Sequence, residues 1–219
     1  MSAGRAGPDD LLAAWTGAFG PIATAVGRDL LERYAEPHRR YHDTAHLRAV
    51  LQTLRRLHPA GELPIAVLAA AFWHDAVYDP TAADNEPRSA DLAAEALTGL
   101  GWEPALVTEV RRLVLLTAHH APAPDDELGA LLCDADLAVL ASGADVYARY
   151  AAGVRAEYAH LGDEGFRAGR AAVLLRLLAR PRLFTTGPGR RLWEVAARRN
   201  VAAELALLSA PSVAADPPA

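Results

Sequence analysis

The sequence predicts an all-α protein, and three observations carry that prediction. Apolar residues recur at helical spacing in almost every window, strand signals are nearly absent, and Gly and Pro fall between the helical windows. Leu11, Leu12, Trp15 and Phe19 mark a first helix, and Leu47, Val50, Leu51, Leu54 and Leu57 mark another. Pro64 sits where a first-turn proline belongs, ahead of the run from Ile65 to Trp73. That run is apolar almost all round, as a central buried helix is. Asp84-Asn85 followed by Glu86-Pro87 reads as the start of a helix reaching about Leu100, with Gly101 closing it. Further helices are predicted over 103–119, 128–141, 144–160, 163–179 and 190–208.

A chain of 219 residues is expected to form one domain, here 9–208, flanked by residues 1–8 and a Pro- and Ala-rich tail, 209–219, that both read as disordered. The net charge is −5 and every basic residue is Arg, so the surface suits no duplex nucleic acid, which needs a basic face. The single cysteine, Cys133, forms no internal disulfide and sits beside Leu131 and Leu132 as a buried apolar thiol would. The longest apolar stretch, from Leu63 to Trp73, is too short to cross a bilayer, and no signal peptide is visible. A cytoplasmic protein with no membrane partner is the expectation, and no segment specifies an oligomeric state.

Chemistry concentrates where ionisable residues interrupt apolar helices. His74-Asp75 ends the most apolar run in the chain, where an unpaired carboxylate is costly. Asp75 therefore needs a partner, either a divalent cation or an ordinary buried His–Asp hydrogen bond. Imidazole nitrogen together with carboxylate oxygen suits Mn, Fe, Co, Ni or Zn better than Ca. Upstream, Asp43 or Thr44 can cap a helix that carries His46 in its first turn, beside Leu47 and Val50. His42 falls just before that cap, where it can back the site. Downstream, Asp134 and Asp136 interrupt the apolar stretch from Leu131 to Leu140. On a helix they lie about 200° apart and cannot face the same way. Asp136 shares the edge of the apolar stripe with Leu137 and Leu140 and is taken as the ligand; Asp134 is taken as a cap or an outer partner. His119-His120 ends a helical stretch before Ala121-Pro122, where the helix dipole favours histidine whatever its role.

The ordered set His46, His74-Asp75 and Asp136 in an all-helical chain resembles the HD superfamily of metal-dependent phosphohydrolases. Longer strings look like one bacterial branch of it: Tyr41-His42 with His46-Leu47, Phe72-Trp73-His74-Asp75 with Tyr78-Asp79, Asn85-Glu86 with Ser89-Ala90, and Asp134-Ala135-Asp136-Leu137. The resemblance covers 41–141 and continues more weakly to 200. It implies an HD-type helical bundle whose divalent metal is held between central helices by His46, His74, Asp75 and Asp136. It also implies hydrolysis of a phosphoester of a nucleotide or another small phosphorylated metabolite. A divalent ion there lowers the pKa of a bound water towards about 7.

Members that act on the alarmone (p)ppGpp carry His-Asp-x-x-Glu-Asp. Here the window reads His74-Asp75-Ala76-Val77-Tyr78-Asp79, so Asp79 matches and Tyr78 departs. Asp79 is accordingly the first choice for general acid or base, with Asp84 and Glu86 in reserve; a turn residue before Pro80 is the competing reading. Arg39, Arg40, Arg48 and Arg88 lie near the motifs as possible phosphate contacts, and each also reads as a solvated surface residue. Some members hold a second metal with extra histidines, which brings in His42, His119 and His120. The same ligand set serves HD-type diiron oxygenases, which need more histidines. It also marks the fold of non-catalytic nucleotide-binding modules, which typically lose ligands.

Overall fold

The computed structural model describes residues 8–210. Its elements are helical throughout, with no strand among the described residues. Helix α1 (Pro8–Phe19) and helix α2 (Thr24–Tyr34) form a hairpin joined at Gly20, whose φ of 81° suits glycine, and a short 3-10 turn. Trp15 is fully buried, and its Nε1 donates to Ala23 O at 2.7 Å. A side chain at Gly27 would overlap the Trp15 indole, so glycine is what lets α2 lie this close. The sequence reading missed α2. Its buried stripe runs Gly27, Leu30, Leu31, Tyr34, and the glycine hides the helical period.

Helix α3 (Thr44–Leu57) starts under Asp43, whose Oδ1 accepts from the amides of Ala45 and His46 at 2.8 and 3.2 Å. Helix α4 (Ile65–Trp73) is central, and Ala66, Ala69, Ala70 and Ala71 are all buried. These small side chains let α3, α6 (Pro104–Leu116) and α7 (Glu127–Leu137) press close to α4. Between α4 and α6 runs α5 (Asn85–Gly99), which ends as predicted. Gly101 N donates to Thr98 O and Trp102 N to Leu97 O, with Gly101 at φ 78°.

The remaining helices are α8 (Ala144–Glu157), α9 (Asp163–Leu178) and α10 (Gly187–Ser209). The chain builds two apolar clusters. The larger one belongs to α1–α7; the smaller gathers Leu140, Tyr147, Leu174, Leu177, Phe184 and Val201 from the C-terminal helices. Trp193 of α10 packs against both.

Several predicted boundaries move. The helix predicted over 128–141 stops at Leu137 and tightens into a 3-10 turn, Ala138–Ala141. Asn200 Nδ2 satisfies the freed carbonyls of Leu140 and Ser142, each at 2.9 Å. Predicted 103–119 ends at Leu116 and 144–160 at Glu157, while α10 begins at Gly187 rather than 190. Helices also reach Pro8 and Ser209, which were expected to be disordered; the rest of those ends, 1–7 and 211–219, lies outside the described residues. Among the described residues no helix is long and apolar enough to cross a membrane.

Candidate metal centre

Three helix ends meet at one point. The first turn of α3 brings His46, the residues after α4 bring His74 and Asp75, and the last turn of α7 brings Asp136. His46 Nε2 lies 3.0 Å from His74 Nε2, 3.1 Å from Asp136 Oδ1 and 3.4 Å from Asp75 Oδ2. His74 Nε2 lies 3.1 Å from Asp75 Oδ2 and 3.7 Å from Asp136 Oδ1. One ligand atom each from His46, His74 and Asp136 falls within 4.8 Å of the others. Such separations suit donors around one ion, with bonds of roughly 2.0–2.2 Å. His74 Nδ1 contacts Ala71 O at 2.8 Å, and a carbonyl can only accept, so that nitrogen carries the proton. In neutral His74 the lone pair of Nε2 therefore points into the cluster.

Charge is concentrated here. Burial pushes the His46 imidazole down, but its bonds to Asp136 and Asp75 outweigh that and hold it at about 10. His74 is also raised, its burial overcome chiefly by the charge of Asp75. Burial raises both carboxyls, yet the histidines outweigh it and hold Asp75 and Asp136 well below the usual carboxylate range. Both acids are thus ionised and offer only acceptor atoms.

A rigid frame holds this arrangement. Tyr34, fully buried, donates its hydroxyl hydrogen to Phe72 O at 3.1 Å and accepts from Asp75 N at 3.2 Å. Arg39 is buried as well, and its guanidinium donates to Glu36 and to the carbonyls of His42, Asp75 and Ala76. His120 Nε2 reaches Asp136 Oδ2 at 2.6 Å. His120 adopts φ 47°, and Arg180 fixes that backbone by donating to the carbonyls of His119 and His120. On the other side, His42 stacks on Tyr78 with ring centroids 4.2 Å apart, and both bond to Glu157.

The predicted residues fall into place unevenly. His46, His74, Asp75 and Asp136 converge, and of the two adjacent histidines it is His120 that joins them. His119 is exposed and lines a cavity of about 900 Å³ together with His42, His120 and Asp136. Asp134 does not back the cluster. It is buried, and its oxygens accept from Thr185 N, Thr186 N and Thr186 Oγ1, anchoring the start of α10. Two residues further along the same helix, Asp136 faces the opposite way.

Asp79 lies apart from the cluster. Its Oδ1 accepts from the amide and hydroxyl of Thr81, which closes a turn, and it lines none of the three cavities around the cluster. Glu86, the reserve, lines a cavity of about 330 Å³ together with His42, Asp75, His120 and Asp136. Among the arginines, Arg39 is a structural clamp rather than a phosphate contact. Arg88 is exposed and pairs with Asp84 at 3.7 Å, and Arg48 lines none of those cavities. Arg40 is exposed and does line one. Cys133 is buried, and that burial pushes its thiol far up, consistent with the inert reading.

Glu157 is the residue the sequence reading missed. It is in phase with Tyr147, Tyr150 and Val154, so an acid falling on the inward stripe of α8 was the available signal. No protein-family model, no curated protein and no solved structure matches this chain.

Proposed function

We propose that this protein is a metal-dependent phosphohydrolase of the HD type, acting on a phosphoester of a nucleotide or another small phosphorylated metabolite. The observation that carries the reading is the convergence of His46, His74, Asp75 and Asp136 at 3.0–3.7 Å, with ionised carboxylates and the His74 tautomer fixed by Ala71. The donor set of two imidazoles and two carboxylates fits Mn, Fe, Co, Ni or Zn. An ion held there would supply an activated water and draw electron density from a phosphoryl oxygen.

The residues of the chain do the rest. The carbonyl of Ala71 and the side chain of His120 orient two of the ligands, which fixes where a phosphoryl group binds. Glu86, half-buried on the cavity wall, is the group placed to move a proton between water and leaving oxygen. Three cavities, of about 530, 900 and 330 Å³, share Asp136 on their walls, so the cluster is open to a small molecule.

The test is metal analysis of the purified full-length protein, followed by phosphate release from a nucleotide panel with added manganese or cobalt. Near-stoichiometric metal with release supports the reading, and Glu86→Gln should then keep the metal while losing about 100-fold in rate. Bound iron with a visible charge-transfer band and no release would move the assignment to an oxygenase. A protein that takes up no metal under any loading condition sinks both.

A further inference from the structure

Helices α8 and α9 follow one another through a short turn, and each carries an apolar stripe. Tyr150 and Val154 lie on α8; Phe166, Val173 and Leu177 fall at helical spacing on α9. Stripes of this kind ordinarily close on one another at the density of a protein interior. Here all five residues line one cavity of about 900 Å³. Val173 keeps 38% of its surface exposed, so part of that apolar wall faces solvent.

The polar groups on the wall fall into two sets. One surrounds the metal cluster: His42, Glu86, His120 and Asp136. The other is spent inside the protein. Arg170 donates to Glu204 and to the Tyr150 hydroxyl, Arg180 to the carbonyls of His119 and His120, and Thr117 to Val114 O. Beyond these the wall offers His119 and Arg176, both exposed, and the rings of Tyr41 and Tyr158. A nucleoside brings a hydroxylated sugar and a base edge, and each polar group buried without a partner costs free energy. An apolar alcohol brings no such groups and gains with every methylene it buries.

We propose that this cavity receives the alcohol part of the substrate, and that the substrate is a phosphate monoester of an apolar alcohol (alkyl, prenyl or aryl). The phosphoryl group sits at the metal cluster and the apolar body lies along Val154, Phe166 and Val173. Hydrolysis joins a water oxygen to phosphorus, breaks the bond from phosphorus to the ester oxygen and passes a water proton to the released alcohol. The inference rests on the phosphohydrolase reading for the phosphoryl end; the apolar cavity itself needs no metal. Its volume lies within the roughly 300–1,000 Å³ of small-molecule sites.

Gly169 supplies the test. It is exposed on α9 between Phe166 and Val173, lines the cavity, and a Cβ placed there meets nothing within 4 Å. The manganese-loaded full chain is titrated by calorimetry with methyl-, butyl- and hexylphosphonate, which resist hydrolysis, and with the phosphonate analogue of AMP. Affinity should rise about threefold per added methylene, and hexylphosphonate should bind more tightly than the AMP analogue. Gly169→Trp, which fills the cavity, should flatten the chain-length series. Val173→Gln, at an exposed position, should flatten it in part and serves if Gly169→Trp fails to fold. A flat series in wild type, tighter binding of the AMP analogue, or an unchanged slope in the folded variants overturns the proposal. Failure to take up manganese would strike the metal reading instead. The cavity is then decided by metal-free fluorescence titration with anilinonaphthalene sulfonate, whose binding Gly169→Trp should weaken at least about tenfold; equal binding by both proteins overturns it.

Discussion

Glu157 and the pair Asp75 and Asp136 are acids sunk in the same helical bundle, yet they neutralise their charge in opposite ways. Glu157 Oε1 accepts from three successive amides, those of Arg40, Tyr41 and His42, at 2.8, 2.8 and 3.0 Å. Its Oε2 takes His42 Nδ1 at 2.7 Å and the Tyr78 hydroxyl at 3.0 Å. The protein alone satisfies it. At the other cluster, two carboxylates and two imidazole Nε2 atoms point at one another, with the nitrogens only 3.0 Å apart. Since His74 Nδ1 keeps its proton on Ala71 O, a neutral His74 has no proton to give Asp75, and without a cation the two carboxylates are offset by raised imidazoles lying side by side. A buried acid by itself therefore says little about metal; two carboxylates and two imidazoles drawn to one point say more.

The largest expected effect breaks the comparison on the metal side. His74→Ala should weaken manganese binding by more than about 100-fold, the upper end of what loss of a supporting partner costs. The helical circular dichroism signal should persist, because α4 is held by its alanine packing and not by the ligand. Stoichiometric metal retained in this variant, measured by elemental analysis after gel filtration, would remove His74 from the site.

Glu157→Ala should do the reverse. It strands three amides, a hydroxyl and an imidazole, a loss of about 3–5 kcal/mol by analogy with breaking a buried pair, while leaving metal stoichiometry unchanged. The pH dependence sharpens this. Burial raises the Glu157 carboxyl, but His42 and the amides outweigh it and hold it at about 2 against an ordinary 4.5. A depressed carboxylate contributes its full stability above the unfolded value and loses it as pH falls towards the folded one. The unfolding free energy of the wild type, from urea titrations, should therefore fall between pH 4.5 and 2, by about 3 kcal/mol from this group. Glu157→Gln should lose less stability than wild type over that window, the remainder coming from other depressed carboxyls such as Asp75 and Asp136; parallel curves for the two proteins would show that Glu157 is not the group responsible.

His120→Ala is the intermediate case. The imidazole orients Asp136 from outside, so its loss should weaken metal binding by about 10–100-fold with unchanged stoichiometry. A loss as complete as that of His74→Ala would promote His120 from a positioning residue to a ligand.

How much of this was legible in the sequence follows from what each residue does. Candidate ligands at helix ends stood out because His74-Asp75 closes an apolar run and His46 follows a capping Asp, both local signals. The choice between Asp134 and Asp136 was legible for the same reason, since two residues on one helix face opposite sides. What the sequence hid was tertiary. Glu157 bonds to backbone amides 115–117 residues earlier, and no local pattern records that. Arg39 looks like its neighbour Arg40, yet one is buried against the carbonyls that end α4 and the other is exposed on a cavity wall. Helix α2 escaped because a glycine occupies its inward stripe beneath Trp15.

The smallest expected effect concerns Asp79, where motif and geometry disagree. The motif match assigns it to proton transfer, but a general acid or base must lie within hydrogen-bond reach of the reacting group or one water away. Its carboxylate instead holds Thr81, and those bonds keep it below the usual carboxylate range. Asn85 braces the same turn by accepting from Asp79 N and donating to Asp79 O. Asp79→Asn should leave both metal content and phosphate release at the wild-type level, measured beside Glu86→Gln under identical metal loading. If Asp79→Asn is the variant that loses turnover, the loop carrying Asp79 must rearrange when substrate binds, and the acid–base role returns to Asp79.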